Sequence, residues 1–419
     1  MDATVLELAY GQSRLSVSLP AHNLLGVFAP QNAPAAADES FLLREALAHP
    51  IGRPRLRDLA QRGQRVAIVI SDMTRPCPSE RLLPPILDEL TAAGVPDSDI
   101  TVIVALGLHR PMTGTELAAA GGEDVLRRVQ VVNHDPANTV HMGVTAAGTP
   151  VEFFRPLVEA DLRVCLGNLE FHYFAGYSGG AKAVLPGCAS LATINANHAM
   201  MVEEGARAGS VEGNPVRRDI EEGAAQLGVD FILNVVVDER HRITGAVAGD
   251  VIAAHRRGCD LIRPRGTLPI PRLAQVVLAS AGGFPKDVNL YQAQKALENA
   301  SYAVQPGGII VLVAECREGF GSQVFESWMR EARSPDEILQ RIKQRFVIGG
   351  HKAAAIAAVL KRAGVFLVST MSAEGLTGCG LLPFADVGQA MRRAFLEMGE
   401  SASVLVLPDA GSSLPVVAD

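Results

Sequence analysis

Residues 167–200, GNLEFHYFAGYSGGAKAVLPGCASLATINANHAM, hold the densest set of chemically able residues in the chain. They include five glycines (Gly167, Gly176, Gly179, Gly180, Gly187), His172, His198 and Lys182, with Glu170 as the only further charge. Glycine lets the backbone approach a ligand closely and offer its N–H groups to anions. The loop therefore fits a phosphate-bearing ligand, with Gly179 and Gly180 as its cofactor contacts. The phosphate-loop spacing G-x-x-x-x-G-K-[ST] is not met, because Ala181 separates Gly180 from Lys182 and Ala183 follows, so an ordinary nucleotide triphosphatase is disfavoured. Two readings of Lys182 stay open: a nucleophile or covalent anchor whose pKa is lowered by apolar surroundings, or a cation pairing with phosphate. His198, on an expected helix Ser190–Glu203, is either a metal ligand or a structural histidine.

Three further segments carry candidates. SDMTRPCPSE follows the apolar run VAIVI and precedes an expected helix Glu80–Ala93. Asp72 and Arg75 there either project toward a ligand, Arg75 holding a carboxylate or phosphate, or form a helix cap and a surface ion pair. His109 follows TVIVALGL, again at a strand end, and is either a proton donor and acceptor or a hydrogen-bonded structural residue. His134 in NHDP reads as structural, flanked by the turn residues Asn133 and Asp135. In GGFPKDVNLYQAQKALENA, Gln292 and Lys295 lie three apart on one helix face beside Tyr291. That face either meets a substrate or is simply solvated. His109, His172 and His198 together have the form of a three-ligand zinc centre, although no H-x-x-x-H or H-E-x-x-H spacing accompanies them.

The elements that must position these residues are short β-branched runs ending in glycine or polar residues: VAIVI, TVIVAL, VQVV, LRVCLGN, QVVLASAGG, GIIVLVAE, GVFLVST and SVLVLPD. Strands this apolar on both faces belong in parallel sheets covered by helices. The expected fold is thus α/β, with two domains of mostly parallel sheet flanked by helices. Ligands gather beyond the carboxyl ends of such strands, and the site is expected in the interdomain cleft. The proline-rich RPRGTLPIPR at 263–272 is the clearest candidate boundary, and PQNAPAAAD at 30–38 reads as a surface connection. These place a cofactor-binding domain at 1–270, completed by 403–419 if the last strand returns to it, and a second domain at 286–402. A helix from about Lys286 to Val304 is long enough to bridge them.

Composition narrows the function class. The 419 residues are 48% hydrophobic and 20% charged, as in folded globular proteins. A formal charge of −7 with no basic run and 5% aromatic residues disfavours nucleic acid as a partner. Six scattered cysteines without a C-x-x-C pair read as isolated reduced thiols. No signal peptide is visible, and the apolar runs are far shorter than the ~20 residues of a membrane span, so a cytoplasmic location away from membranes is expected.

Taken in order, SDMTRP, GLHRPMT, NHD, HYFAGYSGGAK with ANHAM, and GGFPKDVNLYQAQKAL resemble the nickel-pincer nucleotide-dependent lactate racemase family over roughly Ser71 to Ala300. The resemblance implies a racemase or epimerase of a small 2-hydroxy acid, working by reversible hydride transfer. It implies that Lys182 carries a pyridinium-3-thioamide-5-thiocarboxylic acid mononucleotide, whose carbon and two sulfurs hold nickel, with His198 as the protein's metal ligand. By the same resemblance His109 and His172 are the acid/base pair, Arg75, Gln292 and Lys295 hold substrate, and Asp72 and Thr74 lie near the cofactor; Tyr291, adjacent to Gln292, is read as a further substrate contact. Cofactor-building enzymes would be partners in maturation. Leu108 departs from the small polar residue that relatives often have before the histidine, which leaves the identity of the 2-hydroxy acid open. The competing readings are a zinc-dependent hydrolase using His109, His172 and His198, and a non-catalytic nucleotide-binding protein.

Overall fold

A computed structural model describes residues 3–29, 38–238, 240–412 and 414–418. The chain forms two compact units, one of residues 33–264 and one of 1–32 together with 265–419. Each is built on a six-stranded sheet with helices packed on it, so the two-domain α/β expectation holds.

In the 33–264 unit the strands lie in the order Ile243–Gly249, Phe231–Val237, Leu162–Asn168, Val66–Ser71, Ile100–Ala105, Gln130–Asn133. All run parallel except Ile243–Gly249, which is antiparallel to its neighbour. Val66 through Ile70 are each at most 2% exposed, the two-sided burial that an unbroken β-branched run requires. On one face, Leu82, Leu83, Ile86 and Leu87 of the helix Ser79–Ala92 and Leu43 and Leu47 of the helix Glu39–Ala48 pack on Ile68, Ile70, Val102 and Val104. Each such side chain contributes roughly 1.5–3 kcal/mol by leaving water. From Val66–Ser71 the chain steps outward to Ile100–Ala105 and Gln130–Asn133, then returns to the other side at Leu162–Asn168. The reversal opens a crevice at the carboxyl ends of the two central strands, where open α/β sheets take their ligands.

The other unit has the order Leu381–Phe384, Gly364–Val368, Val304–Val313, Ala274–Ser280, Val404–Leu407, Leu24–Val27, all parallel. An antiparallel hairpin of Ala3–Tyr10 and Ser13–Pro20 adds Leu8, Val17 and Leu19 to its core. The chain therefore divides otherwise than at 1–270 and 286–402. Residues 1–32 join the C-terminal part because Leu24–Val27 hydrogen-bonds to Val404–Leu407. Val404–Leu407 itself lies inside that sheet instead of returning with 403–419 to the first domain. The stretch 263–272 is no linker: the helix Ala253–Gly266 runs through Pro264, and Thr267–Ile270 then pairs in parallel with Leu414–Val417. The helix expected at 286–304 spans Leu290–Ser301, because the Asn289 side chain accepts from the Gln292 N–H and caps it there. Of the expected connection at 30–38, all but Asp38 lies outside the described residues, and Asp38 caps the helix Glu39–Ala48.

All six cysteines are free, and no helix among the described residues is long and apolar enough to cross a membrane. His134 is 2% exposed with its ring edge-on to Phe154 at 5.6 Å, in keeping with a structural role. Burial lowers it to about 4, against a smaller opposing effect of Asp135. Above pH ~6.5 this costs nothing; as pH falls from there toward about 4 the unfolded chain takes the proton first and the folded state loses stability. The loss expected from His134 is on the order of 3 kcal/mol. Denaturant melts from neutral to acid pH should show it, and His134→Leu should flatten that part of the profile.

Candidate active site

Three neighbouring parallel strands deliver the candidates of the 33–264 unit. Val66–Ser71 ends in Asp72, Thr74 and Arg75; Ile100–Ala105 is followed by His109; and Leu162–Asn168 leads to Glu170 and His172. The fold brings Asp72 and His109, read from separate strand ends, into contact. Asp72 is 5% exposed and accepts from the Thr74 N–H at 3.2 Å, from Thr74 Oγ1 at 2.7 Å and from His109 Nδ1 at 2.5 Å. Burial pushes the Asp72 carboxyl up, but hydrogen bonds from His109 and Thr74 together outweigh it and hold the group below its usual range. An ionised carboxylate can only accept, so the proton sits on His109 Nδ1 and the lone pair faces outward on Nε2. That is the arrangement of an oriented acid/base histidine.

The second cluster surrounds Phe174, which is 3% exposed. His172 meets its ring edge-on at 4.6 Å, His198 at 5.0 Å, and Lys182 Nζ lies 5.7 Å from its centroid. Lys182 Nζ is 3.3 Å from His172 Nε2, while His172 Nδ1 accepts from the Ala175 N–H at 3.2 Å. With Nδ1 accepting, a neutral ring carries its proton on Nε2 and donates it to Nζ, which has a lone pair only as an uncharged amine. Electrostatics agree. Desolvation, then Arg75 and Arg217, push Lys182 well below its ordinary value against the weaker pull of Glu170. Desolvation and then Lys182 lead the causes that hold His172 well below its own.

His198 sits in the last turn of the helix Leu191–Ala199, capped by Ser190, with a 3-10 turn Met200–Val202 completing the expected span. Its Nδ1 lies 3.1 Å from Asn197 Oδ1, a contact that fixes ring orientation as the outer partners of metal-binding imidazoles do. Arg75 is exposed and 3.9 Å from Glu170, across the two central strand ends. Gly179 and Gly180 have φ of +73° and +57°, and side chains there would overlap Leu169 and Asn234, or His255. Gly180 donates its N–H to Asn234 Oδ1 at 2.7 Å, so this amide is engaged by protein, contrary to its reading as an anion donor. In the other unit, Gln292 and Lys295 share an exposed face of the helix Leu290–Ser301. Tyr291 is half-buried between Phe325 and His351, with Lys352 Nζ 5.0 Å from its ring centroid.

The sequence reading missed Asn214, Arg217 and Asn234, buried polar residues that bond the glycine loop from behind. Asn-Pro at 214–215 was a legible helix start, with the Asn214 side chain capping and Pro215 in the first turn. The zinc alternative does not gather: among the described residues no three of His, Cys, Asp and Glu converge as a metal-ligand set.

Comparison with known proteins bears on the family. Residues 10–209 match the lactate racemase N-terminal domain, and residues 271–416 match the lactate racemase C-terminal domain. A lactate racemase of Thermoanaerobacterium thermosaccharolyticum is 34% identical over 416 residues, covering 96% of this chain and 97% of that protein. One of Lactiplantibacillus plantarum is 32% identical, covering 96% and 98%. The structure of the lactate racemase apoprotein from T. thermosaccharolyticum superposes with a TM-score of 0.87, at 34% identity, over 99% of this chain and 100% of that one. A crystal structure of a Thermotoga maritima protein, 19% identical, shares the fold with a TM-score of 0.62 over 91% of this chain and 98% of that one. On these matches, which run nearly end to end, the chain belongs to the lactate racemase family and is an isomerase of the racemase type.

Proposed function

We propose that this enzyme racemises a small 2-hydroxy acid of the lactate class, with a nickel-pincer nucleotide attached through Lys182. The observation that carries the reading is the contact between Lys182 Nζ and His172 Nε2, which is a hydrogen bond only when the lysine is an uncharged amine. A lysine kept to bind phosphate would need its charge; one kept as a covalent anchor must lose it. The donor set fits the group. Lys182 would hold it through a thioamide, and His198 would give one imidazole to the nickel. When bound, the group accepts and returns a hydride, because the hydrogen on the substrate's C2 is too weakly acidic to leave as a proton.

The remaining work falls to the chain's own side chains. His109, oriented by Asp72, takes the hydroxyl proton at Nε2, and His172 serves the opposite face once acylation of Lys182 ends its contact with the amine and the ring releases the Ala175 N–H, so that Nδ1 carries the proton and Nε2 is free. Two such histidines allow either enantiomer to enter, through a planar 2-keto acid. Arg75 would meet the substrate carboxylate, with Thr74 near the cofactor. Tyr291, Gln292 and Lys295 would add further substrate contacts. Lys295→Met should raise KM about ten- to hundredfold with a smaller change in kcat, the loss of one charge-assisted hydrogen bond. Steady-state kinetics on each enantiomer would measure it.

The test is to co-produce the chain with cofactor-building enzymes, which we take to be its maturation partners in the cytoplasm. Intact mass, nickel content and a chiral assay on lactate are then read from one sample. A mass increment mapped to the Lys182 peptide, stoichiometric nickel and interconversion of both enantiomers are expected. An unmodified chain without racemase activity after competent maturation overturns the proposal.

A further inference from the structure

The segment between His172 and Lys182 is held from one place. Asn214, which caps the helix Pro215–Leu227, donates Nδ2 to the Phe174 carbonyl at 2.9 Å. Arg217, one turn on, donates Nε to the Ala175 carbonyl at 3.1 Å and Nη2 to the Tyr177 carbonyl. Between them, Gly176 accepts from the Gly209 N–H at 3.0 Å, and any side chain there would overlap the Ser210 carbonyl. The run therefore lies flat on residues 207–217.

Arg217 is 1% exposed, and its Nη1 has no hydrogen-bond partner. Its carboxylate neighbour Glu221 is 3.9 Å away, and both oxygens of Glu221 are bound by Arg256 at 2.7 Å. Desolvation lowers Arg217 to about 10, so it stays charged at neutral pH. A neutral amide could donate to these carbonyls without burying a loosely compensated charge. What the charge adds is its field at Lys182. The groups acting on that amine are Arg75 from the loop after Val66–Ser71, Glu170 and His172 from the segment after Leu162–Asn168, and Arg217 from its helix. Arg75 acts in the same direction as Arg217 and more strongly, and Glu170 opposes both.

We propose that Arg217 is a positioning residue for cofactor attachment: through the Ala175 and Tyr177 carbonyls it fixes the backbone that delivers Lys182, and its charge favours the nucleophilic amine. This rests on the tethering reading above. In the attachment step the Lys182 nitrogen attacks the thioacyl carbon of an activated thiocarboxyl donor. A C–N bond forms, the bond from that carbon to the leaving group breaks with its electron pair, and the nitrogen loses one proton to the leaving group. Nothing is oxidised or reduced.

The test uses the full-length chain without cofactor, pulse-labelled with acetic anhydride from neutral to alkaline pH. Acetylation of the Lys182 peptide is compared with that of the exposed Lys343. In the unaltered chain Lys182 is expected to label at lower pH than Lys343. Arg217→Met moves its midpoint upward and cuts neutral-pH labelling about tenfold. Arg217→Lys stays near the original midpoint. Asn214→Ala loosens a carbonyl without changing charge, and leaves the midpoint in place. Glu221→Gln, which removes part of the compensation for Arg217, moves the midpoint down and decides the matter if Arg217→Met does not fold. An unchanged midpoint in Glu221→Gln, or in a folded Arg217→Met, overturns the proposal, as does an Asn214→Ala shift equal to that of Arg217→Met. Failure of the tether itself would appear separately, as a missing mass increment in co-produced protein.

Discussion

Lys182→Ala yields a folded chain that retains no covalent adduct and whose turnover falls by at least on the order of 10⁶-fold, the low end of enzymatic acceleration. The reason lies in the division of labour. On the proposed mechanism the chain's histidines move protons, but no side chain in either cluster can accept a hydride, so losing the attachment point would remove the group that does. Lys182→Arg should fail equally, because a guanidinium stays protonated and cannot become an acylated amine. The alanine variant should still melt cooperatively, since truncation leaves the Gly180 contact with Asn234 and the carbonyl contacts of Arg217 in place. Intact mass, a chiral assay and a thermal melt on one preparation check all three statements. Full activity in Lys182→Ala would sink the tether.

Asp72→Asn has the next largest effect expected, a fall in kcat of about 10²–10⁴-fold with little change in KM. The carboxylate accepts from His109 Nδ1 at 2.5 Å and so sets which ring nitrogen is protonated. An amide turned to offer its NH₂ group would make Nδ1 the acceptor and drive the proton to Nε2, leaving the outward nitrogen unable to act as a base. The Thr74 contacts at 3.2 and 2.7 Å can persist through the amide oxygen, so the loop should keep its shape. If Asp72→Asn kept kcat within about twofold, Asp72 would be only the cap of that turn, since a tautomer effect is far larger.

Much of this was readable in the sequence because the strands are unusually explicit. VAIVI, TVIVAL and LRVCLGN are too apolar on both faces for anything but central parallel strands, and Asp72 and His109 follow the first two closely enough for the strand-end rule to find them. The segment 167–200 declared itself by glycine density, and Lys182 by its apolar surroundings. What escaped was non-local. Leu24–Val27 is a four-residue strand whose partner lies near the other terminus, and no local periodicity announces such a pairing. Phe231–Val237 and Ile243–Gly249 were passed over for lack of a candidate residue beside them. Arg263–Arg272 misled because three prolines, Pro264, Pro269 and Pro271, suggest a break, whereas Pro264 sits in the final turn of a helix and Pro269 in a short two-stranded ladder. Arg217 was invisible for a simpler reason: in sequence it is one of two adjacent arginines on an amphipathic helix, and only packing shows that Arg217 points inward.

The pairing of Leu24–Val27 with Val404–Leu407 also sets a timetable. A ribosome adds about 5–20 residues per second, so roughly 20 to 75 seconds separate the emergence of the two strands. Until Val404–Leu407 emerges, Leu24–Val27 has no strand to pair with, while residues 33–264, contiguous in the chain, can bury their core as soon as they have been made. The amphipathic strands Ala3–Tyr10 and Ser13–Pro20, with Leu8, Val17 and Leu19 uncovered, are thus what a ribosome-bound chaperone would have to hold until the rest of their sheet emerges.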